Sequence, residues 1–280
     1  MFREAVDEGA VVDTTEIGFL RRDGDGFFPL DMGISKWSPD MINGPAITGI
    51  LARAIENEHG AEGFVPARLT VDLFRPARAE QLHVVTRSVR DGNRIRVADA
   101  EVIQQGEAVA RASVVFLRRS EQPPGELWTR PDTPQPPPLS LLEPLQAPSH
   151  PWIGSDGHPA GWSPSLRDHE GSSRKRMWQY QIPVVAGEEP SPFARAAMVG
   201  ETTSLMTNWG TAGIGFINAD LTLALSRLPE GPEIGIEADN HLSVDGISVG
   251  STTMFDRRGP IGTCIVSALS NAERQLGFRR

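Results

Sequence analysis

Arg68-Leu69-Thr70-Val71-Asp72-Leu73-Phe74-Arg75 and, much later in the chain, Asp220-Leu221-Thr222-Leu223-Ala224-Leu225-Ser226-Arg227 read as two versions of one strand. Leu69 and Leu221, Thr70 and Thr222, and Arg75 and Arg227 are each 152 positions apart. The register persists outside the strand: Leu117 and Leu269 are 152 apart, Asp91-Gly92 and Asp245-Gly246 154 apart, and Gly60 and Gly210 150 apart. Scattered identities arise by chance, whereas a recurring order of elements points to duplication.

That order does recur. In the first half Gly44-Pro45 starts a helix with proline in its first turn, Ile47, Ile50, Leu51, Ala54 and Ile55 form one apolar stripe at helical spacing, and Gly60 ends it. Four β-type runs follow, at 69–74, 82–89, 95–103 and 109–117, with Asp91-Gly92 and Gln105-Gly106 as turns. In the second half Ser191-Pro192 is a cap followed by proline, Ala194, Ala197, Met198, Leu205 and Trp209 supply apolar positions, and Gly210 is the stop. Runs at 216–225, 233–242, 247–255 and 261–269 complete the copy, with Asp245-Gly246 and Arg258-Gly259 between strands.

A sheet with one apolar face must have it covered, and in each half the one helix long enough to do so precedes the meander. The expected class is α+β: two tandem antiparallel curved sheets, each wrapped around one long helix, able to pair edge to edge and hide their exposed strand edges. Between the copies, residues 121–164 are crowded with proline (Pro123-Pro124, Pro136-Pro137-Pro138, Pro144, Pro148, Pro151, Pro159, Pro164), which removes backbone donors and fixes φ, so the stretch reads as an extended connector. The division is therefore an N-terminal unit at 1–120, a proline-rich linker at 121–175 and a C-terminal unit at 176–280.

The 280 residues suit two domains. With 39% hydrophobic and 22% charged residues the composition is that of a soluble globular chain, and a net charge of −9 argues against nucleic acid or an anionic membrane as partner, since both would repel it. No stretch approaches the roughly 20 apolar residues of a membrane span. Met1-Phe2-Arg3-Glu4-Ala5-Val6-Asp7-Glu8 mixes acids into the place where a signal peptide needs a basic start and an apolar run, so the expected location is cytoplasmic. The single cysteine, Cys264, sits in an apolar run and reads as a small buried hydrophobe.

Asn43-Gly44-Pro45, the strand from Arg68 to Pro76 and the turn Arg90-Asp91-Gly92-Asn93-Arg94 resemble the N-terminal hotdog domain of acyl-CoA thioesterase-like proteins. Glu189-Pro190-Ser191-Pro192, Phe216-Ile217-Asn218-Ala219-Asp220-Leu221-Thr222 and Asp256-Arg257-Arg258-Gly259-Pro260-Ile261-Gly262 resemble their C-terminal hotdog domain. The whole is similar to the double-hotdog, type II-like thioesterases. The resemblance implies a hydrolase of acyl-CoA or related acyl thioesters in fatty acid metabolism, working as a homo-oligomer without a cofactor.

Such an enzyme needs no serine nucleophile: a carboxylate acts as base or nucleophile while amides at a helix N-terminus polarise the carbonyl oxygen. The resemblance implies Asp220 as the carboxylate, with partners falling near Asn240 and Val266; Ser267 replaces Val266 if the alignment slips by one. Asn43 and Gly44, at the start of the first helix, are candidates for the acyl-carbonyl site because a first helical turn leaves amides unpaired. Thr203 and Thr222 are further candidates for holding substrate or water, with Thr202 and Ser243 as alternatives. Val266 has no hydrogen-bonding side chain, and this motivates a second reading, a fatty-acyl or acyl-CoA binding protein that hydrolyses weakly or not at all.

Other chemistries find little support. Gly246-Ile247-Ser248-Val249-Gly250 spells the hydrolase string G-x-S-x-G, but a strand follows it and no histidine comes later in the chain. Neither helix start carries the aspartate–histidine pair of a hydratase. The six histidines show no metal-ligand spacing, and Gly213-Ile214-Gly215 precedes a strand rather than a helix, so neither a metal site nor a dinucleotide fold is expected. Arg174-Lys175-Arg176, the densest basic cluster, reads either as a contact for coenzyme A phosphates or as the solvated end of the linker.

Overall fold

A computed structural model describes residues 17–142, 151–159, 161–180 and 182–277. The opening octapeptide, Pro144, Pro148 and His150 lie outside the described residues. A hairpin of β1 (Leu20–Asp23) and β2 (Gly26–Pro29) leads to the long helix α1 (Gly44–His59) and the strands β3 (Phe64–Leu73), β4 (His83–Asp91), β5 (Ile95–Gln104) and β6 (Glu107–Arg118). A four-residue helix α2 (Leu139–Leu142) and the strands β7 (Trp152–Ser155), β8 (Trp162–Ser163) and β9 (Lys175–Tyr180) follow. Next come α3 (Pro192–Glu201), α4 (Thr203–Asn208), the short strands β10 (Trp209–Gly210) and β11 (Gly213–Ile214), then β12 (Phe216–Asn218), β13 (Asp220–Leu225), β14 (Glu233–Val244), β15 (Ile247–Asp256) and β16 (Gly259–Ser270).

The two expected sheets are one. Among the described residues the order is β4-β5-β6-β3-β13-β16-β15-β14-β9-β7-β8, with β12 also on β16, and every pairing is antiparallel. The halves join where β3 meets β13, so each half satisfies the backbone edge that the other leaves open. The register there is informative: Thr70 lies directly opposite Thr222, Val71 opposite Leu221 and Leu69 opposite Leu223. The two strands matched by sequence thus meet about a local two-fold axis through the matched threonines.

Each helix covers the strands of its own half, α1 lying against β3 to β6 and α3 against β13, β14 and β16. Ile47, Ile50, Leu51 and Ile55 of the α1 stripe are 0–3% exposed, and each contributes roughly 1.5–3 kcal/mol of apolar burial. Along β13, Leu221, Leu223 and Leu225 face this core, while Asp220, Thr222 and Ala224 occupy the other face. The helices also pack on each other. Gly49 is the contact point: a Cβ there would stand 2.7 Å from Met198 Cγ and 2.8 Å from Val184 Cγ2.

Three expectations are corrected. The second helix does not run through to Gly210 but breaks at Thr202, whose hydroxyl bonds back to Val199 O at 2.6 Å and competes with the helical ladder. The run 216–225 is interrupted at Ala219 between β12 and β13, with Ala219 N donating to Ser267 O. Finally, the stretch read as an extended connector contains β7 and β8, and Trp152 of β7 pairs with Trp178 of β9. Residues 120–138, the proline-dense part, do lack helix and strand.

Candidate active site

α1 begins at Asn43, whose Oδ1 accepts from Ala46 N at 2.9 Å and whose Nδ2 donates to Met32 O at 2.7 Å. Pro45 has no N–H, and Ile47 N reaches Asn43 O at 3.4 Å. Among the described residues no acceptor is found for the remaining first-turn donor, the Gly44 amide, at the positive end of a sixteen-residue helix. Beside it lies a carboxylate that the sequence reading missed. A Cβ on Gly44 would run into Glu201 Oε1, so only glycine lets the last residue of α3 rest against the start of α1.

Glu201 is 9% exposed, and Asn218 Nδ2 donates to its Oε1 at 3.1 Å. Burial pushes its pKa up from 4.5 to about 7, with the Asn218 hydrogen bond opposing that rise. A buried acid whose pKa is near neutrality, packed against the first turn of a helix, has the ingredients of a general base beside a helix end that can stabilise an oxyanion. Its neighbours are quiet: Cys264, buried and pushed up to about 12 chiefly by desolvation, donates from Sγ to Gly200 O at 3.3 Å. Among the described residues no group of three or more His, Cys, Asp or Glu is placed to hold a metal ion.

The residues singled out by sequence are dispersed around this point. Asn43 and Gly44 are in it. Asp220 is not: it lies on the face of β13 turned away from the helices, opposite Asp72, and its Oδ1 accepts from Ser267 N at 2.6 Å, which secures the interruption at Ala219. Asn240 is separated from β13 by β15 and β16, so the two residues read as a catalytic pair are not brought together. Thr222 shares the outer face with Asp220. Thr203 is fully buried and exchanges a hydrogen bond with Thr252, Oγ1 to Oγ1 at 2.8 Å.

Val266 is fully buried on the core side of β16. Ser248, in the middle of β15, donates to Asn208 Oδ1 at 2.9 Å and forms no nucleophile elbow. The basic triplet is not a solvated linker end. Arg174 and Arg176 pair with Asp156 and Glu237, and Lys175 is 1% exposed, because alternate residues of β9 point to opposite faces of the sheet. A cavity of about 590 Å³ lies next to Lys175, lined also by Asn208, Trp209, Phe216, Asn240 and His241, but Glu201 is not in its wall.

The signals that could have revealed Glu201 and Asn218 were slight. Glu201 is the one acid between Pro192 and Asn208, and Asn218 is one polar residue within the strand motif 216–222.

Comparison with known proteins gives three findings. Residues 34–117 match the family model for the acyl-CoA thioesterase N-terminal domain. By fold, the chain is similar to the tesB protein of Mycobacterium avium subs paratuberculosis (TM-score 0.61, 16% identity, covering 92% of this chain and 96% of that one). It is also similar to a hot dog fold protein of unknown function from Alicyclobacillus acidocaldarius (0.63, 17%, 92% and 96%) and to acyl-CoA thioesterase II TesB2 from Mycobacterium marinum (0.57, 11%, 95% and 98%). A search of curated proteins by sequence finds no match. The fold is a hotdog fold.

Proposed function

We propose that this chain, acyl-CoA thioesterase-like in sequence over residues 34–117 and hotdog in fold, hydrolyses acyl thioesters, acyl-CoA foremost, to the free acid and thiol. The observation that carries the reading is the buried Glu201 carboxylate against the first turn of α1. Glu201 takes a proton from water as the water oxygen attacks the thioester carbon. The Gly44 N–H and the positive helix end stabilise the oxyanion, and as the carbonyl re-forms the C–S bond breaks and the thiolate takes up the proton. Asn218 orients the Glu201 carboxylate. On this reading the roles first given to Asp220 and Asn240 pass to Glu201 and Asn218, while Asn43 and Gly44 keep theirs.

The same proposal takes the chain as a double hotdog, with units at 1–120 and 176–280 and a connector at 121–175. The Thr70–Thr222 register and the packing of each helix on its own strands support it. No helix among the described residues is long and apolar enough to cross a membrane. A cytoplasmic location belongs to the proposal, as does a homo-oligomer, which the exposed apolar residues Leu242, Val244, Ile247 and Leu269 favour.

Release of free thiol from a panel of acyl-CoAs tests the hydrolase, with Glu201→Gln and Asp220→Ala in parallel. Turnover lost in Glu201→Gln and kept in Asp220→Ala is the expected result; the reverse would overturn the assignment. Val266, apolar where the resemblance places a polar partner, favours the second reading of an acyl-CoA binding protein, which tight binding without thiol release would establish.

A further inference from the structure

The cavity beside α4 has no part in the Glu201 junction, yet it is built like a ligand site. Its volume of about 590 Å³ falls within the range of small-molecule pockets. Three of its features need a partner or a purpose. Asn208 is 6% exposed and spends its Oδ1 on Ser248, while its Nδ2 has no hydrogen-bond partner. A buried donor left unmade is destabilising, and an oxygen from a ligand would remove that penalty.

Lys175 is the second feature. Its Nζ donates to Gly171 O at 2.8 Å and to Ser173 O at 2.5 Å and stands 5.5 Å from the Trp209 ring centroid, and no ion pair to a carboxylate forms among the described residues. The charges around it are otherwise balanced. Arg174 is matched by Asp156 and Glu237, and Asp239, the acid in the wall, by Arg130 and the Thr253 hydroxyl. Third, β14 bulges between Ala238 and Asn240 in the cavity wall, and bulges concentrate beside functional sites because they re-aim side chains.

We propose that this cavity is a subsite for an anionic oxygen group, a carboxylate or a phosphate, received by Asn208 Nδ2 and His241 in the field of Lys175, with Trp209 and Phe216 as its apolar wall. The inference rests on the thioester reading for its place in the reaction. Asn208 ends α4, the short helix that follows Glu201 directly after the break at Thr202, and Phe216 is two residues before Asn218 on β12. The anion then comes from one of two parts of the substrate: the distal carboxylate of a dicarboxylic acyl group, or the phosphates of coenzyme A.

Calorimetric titration of the full chain with coenzyme A, 4′-phosphopantetheine, their phosphate-free counterpart pantetheine, adipate and its uncharged analogue hexanamide tests this without turnover. The expected result is that one anion binds at least tenfold more tightly than its neutral counterpart. Coenzyme A over pantetheine, with 4′-phosphopantetheine also over pantetheine, identifies the phosphates, and adipate over hexanamide the acyl carboxylate. Asn208→Asp, which keeps the shape and reverses the preference, should weaken that anion at least tenfold, and His241→Glu on the exposed rim several-fold. If Asn208→Asp does not fold, the rim variant decides. Equal binding of anion and neutral partner, or anion binding unchanged in the folded variants, overturns the subsite. A chain that binds the anion but releases no thiol sinks the hydrolase and leaves the subsite standing; thiol release with no anion preference does the opposite.

Discussion

The two ends of the helix pair carry the same parts in different states. At one end Glu201 of α3 meets the start of α1 at Gly44, and burial holds the acid's pKa near 7. At the other, Glu56 of α1 meets the start of α3, but there the cap is Ser191, whose Oγ donates to Glu56 Oε2 while accepting from Ala194 N at 3.0 Å. Burial raises Glu56 as well, and the serine hydroxyl lowers it. At one junction a cap hydroxyl stands between acid and helix; at the other the cap is Asn43, whose side chain turns to Ala46 N and Met32 O, and the carboxylate packs directly on Gly44. On the proposed reading this difference is what leaves Glu201 available for chemistry.

The largest effect should separate the two acids. Glu201→Gln should lower kcat by about 10²–10⁴-fold, the range of a lost general base, and Glu56→Gln should stay within about twofold, read as thiol release. Equal losses would erase the distinction. Gly44→Ala should cost about tenfold or more in kcat/KM, since its methyl occupies the space of the Glu201 carboxylate. Ser191→Ala should leave kcat/KM alone and lower stability by about 1 kcal/mol, the usual worth of a helix cap, in urea unfolding.

Titration sharpens the comparison further. Glu201 ionises near pH 7 in the folded chain against 4.5 for the free group, so between those values the unfolded state releases its proton first. Its contribution to stability is therefore intact below pH 4.5 and falls away as the pH rises through 7. Glu201→Gln should be more stable than wild type by about 2–3 kcal/mol at pH 8 and by much less at pH 5, in parallel urea melts. Activity should move the other way, with wild-type kcat/KM climbing as pH passes through about 7. The smallest effect belongs to Asp220→Asn, which weakens the hydrogen bond from Ser267 N: about 1 kcal/mol in stability and under threefold in kcat/KM.

Much of the fold was legible because apolar period, caps and turns are local. The α1 stripe, the Asn43 and Ser191 caps and the Asp245-Gly246 turn, with φ of 52° and 78°, behave as their residue types dictate. The break at Thr202 was not legible, since serine and threonine back-bonding is one option among several for a hydroxyl in a helix. Within the site, Asn43 and Gly44 could be read from their own neighbourhood. Asp220 stands out in sequence by its strand motif, but alternation along β13 turns it to the face away from the helices.

Sequence by itself determined the recurring order of helix and strands, the helix starts and the strand count of each meander, because period and turn chemistry are written in consecutive residues. Only the tertiary structure decided that Glu201 rather than Asp220 stands at the start of α1. That outcome depends on two helices crossing closely at Gly49 and on a glycine at position 44, and burial, which shifts the carboxylate toward neutrality, exists only once both helices are packed.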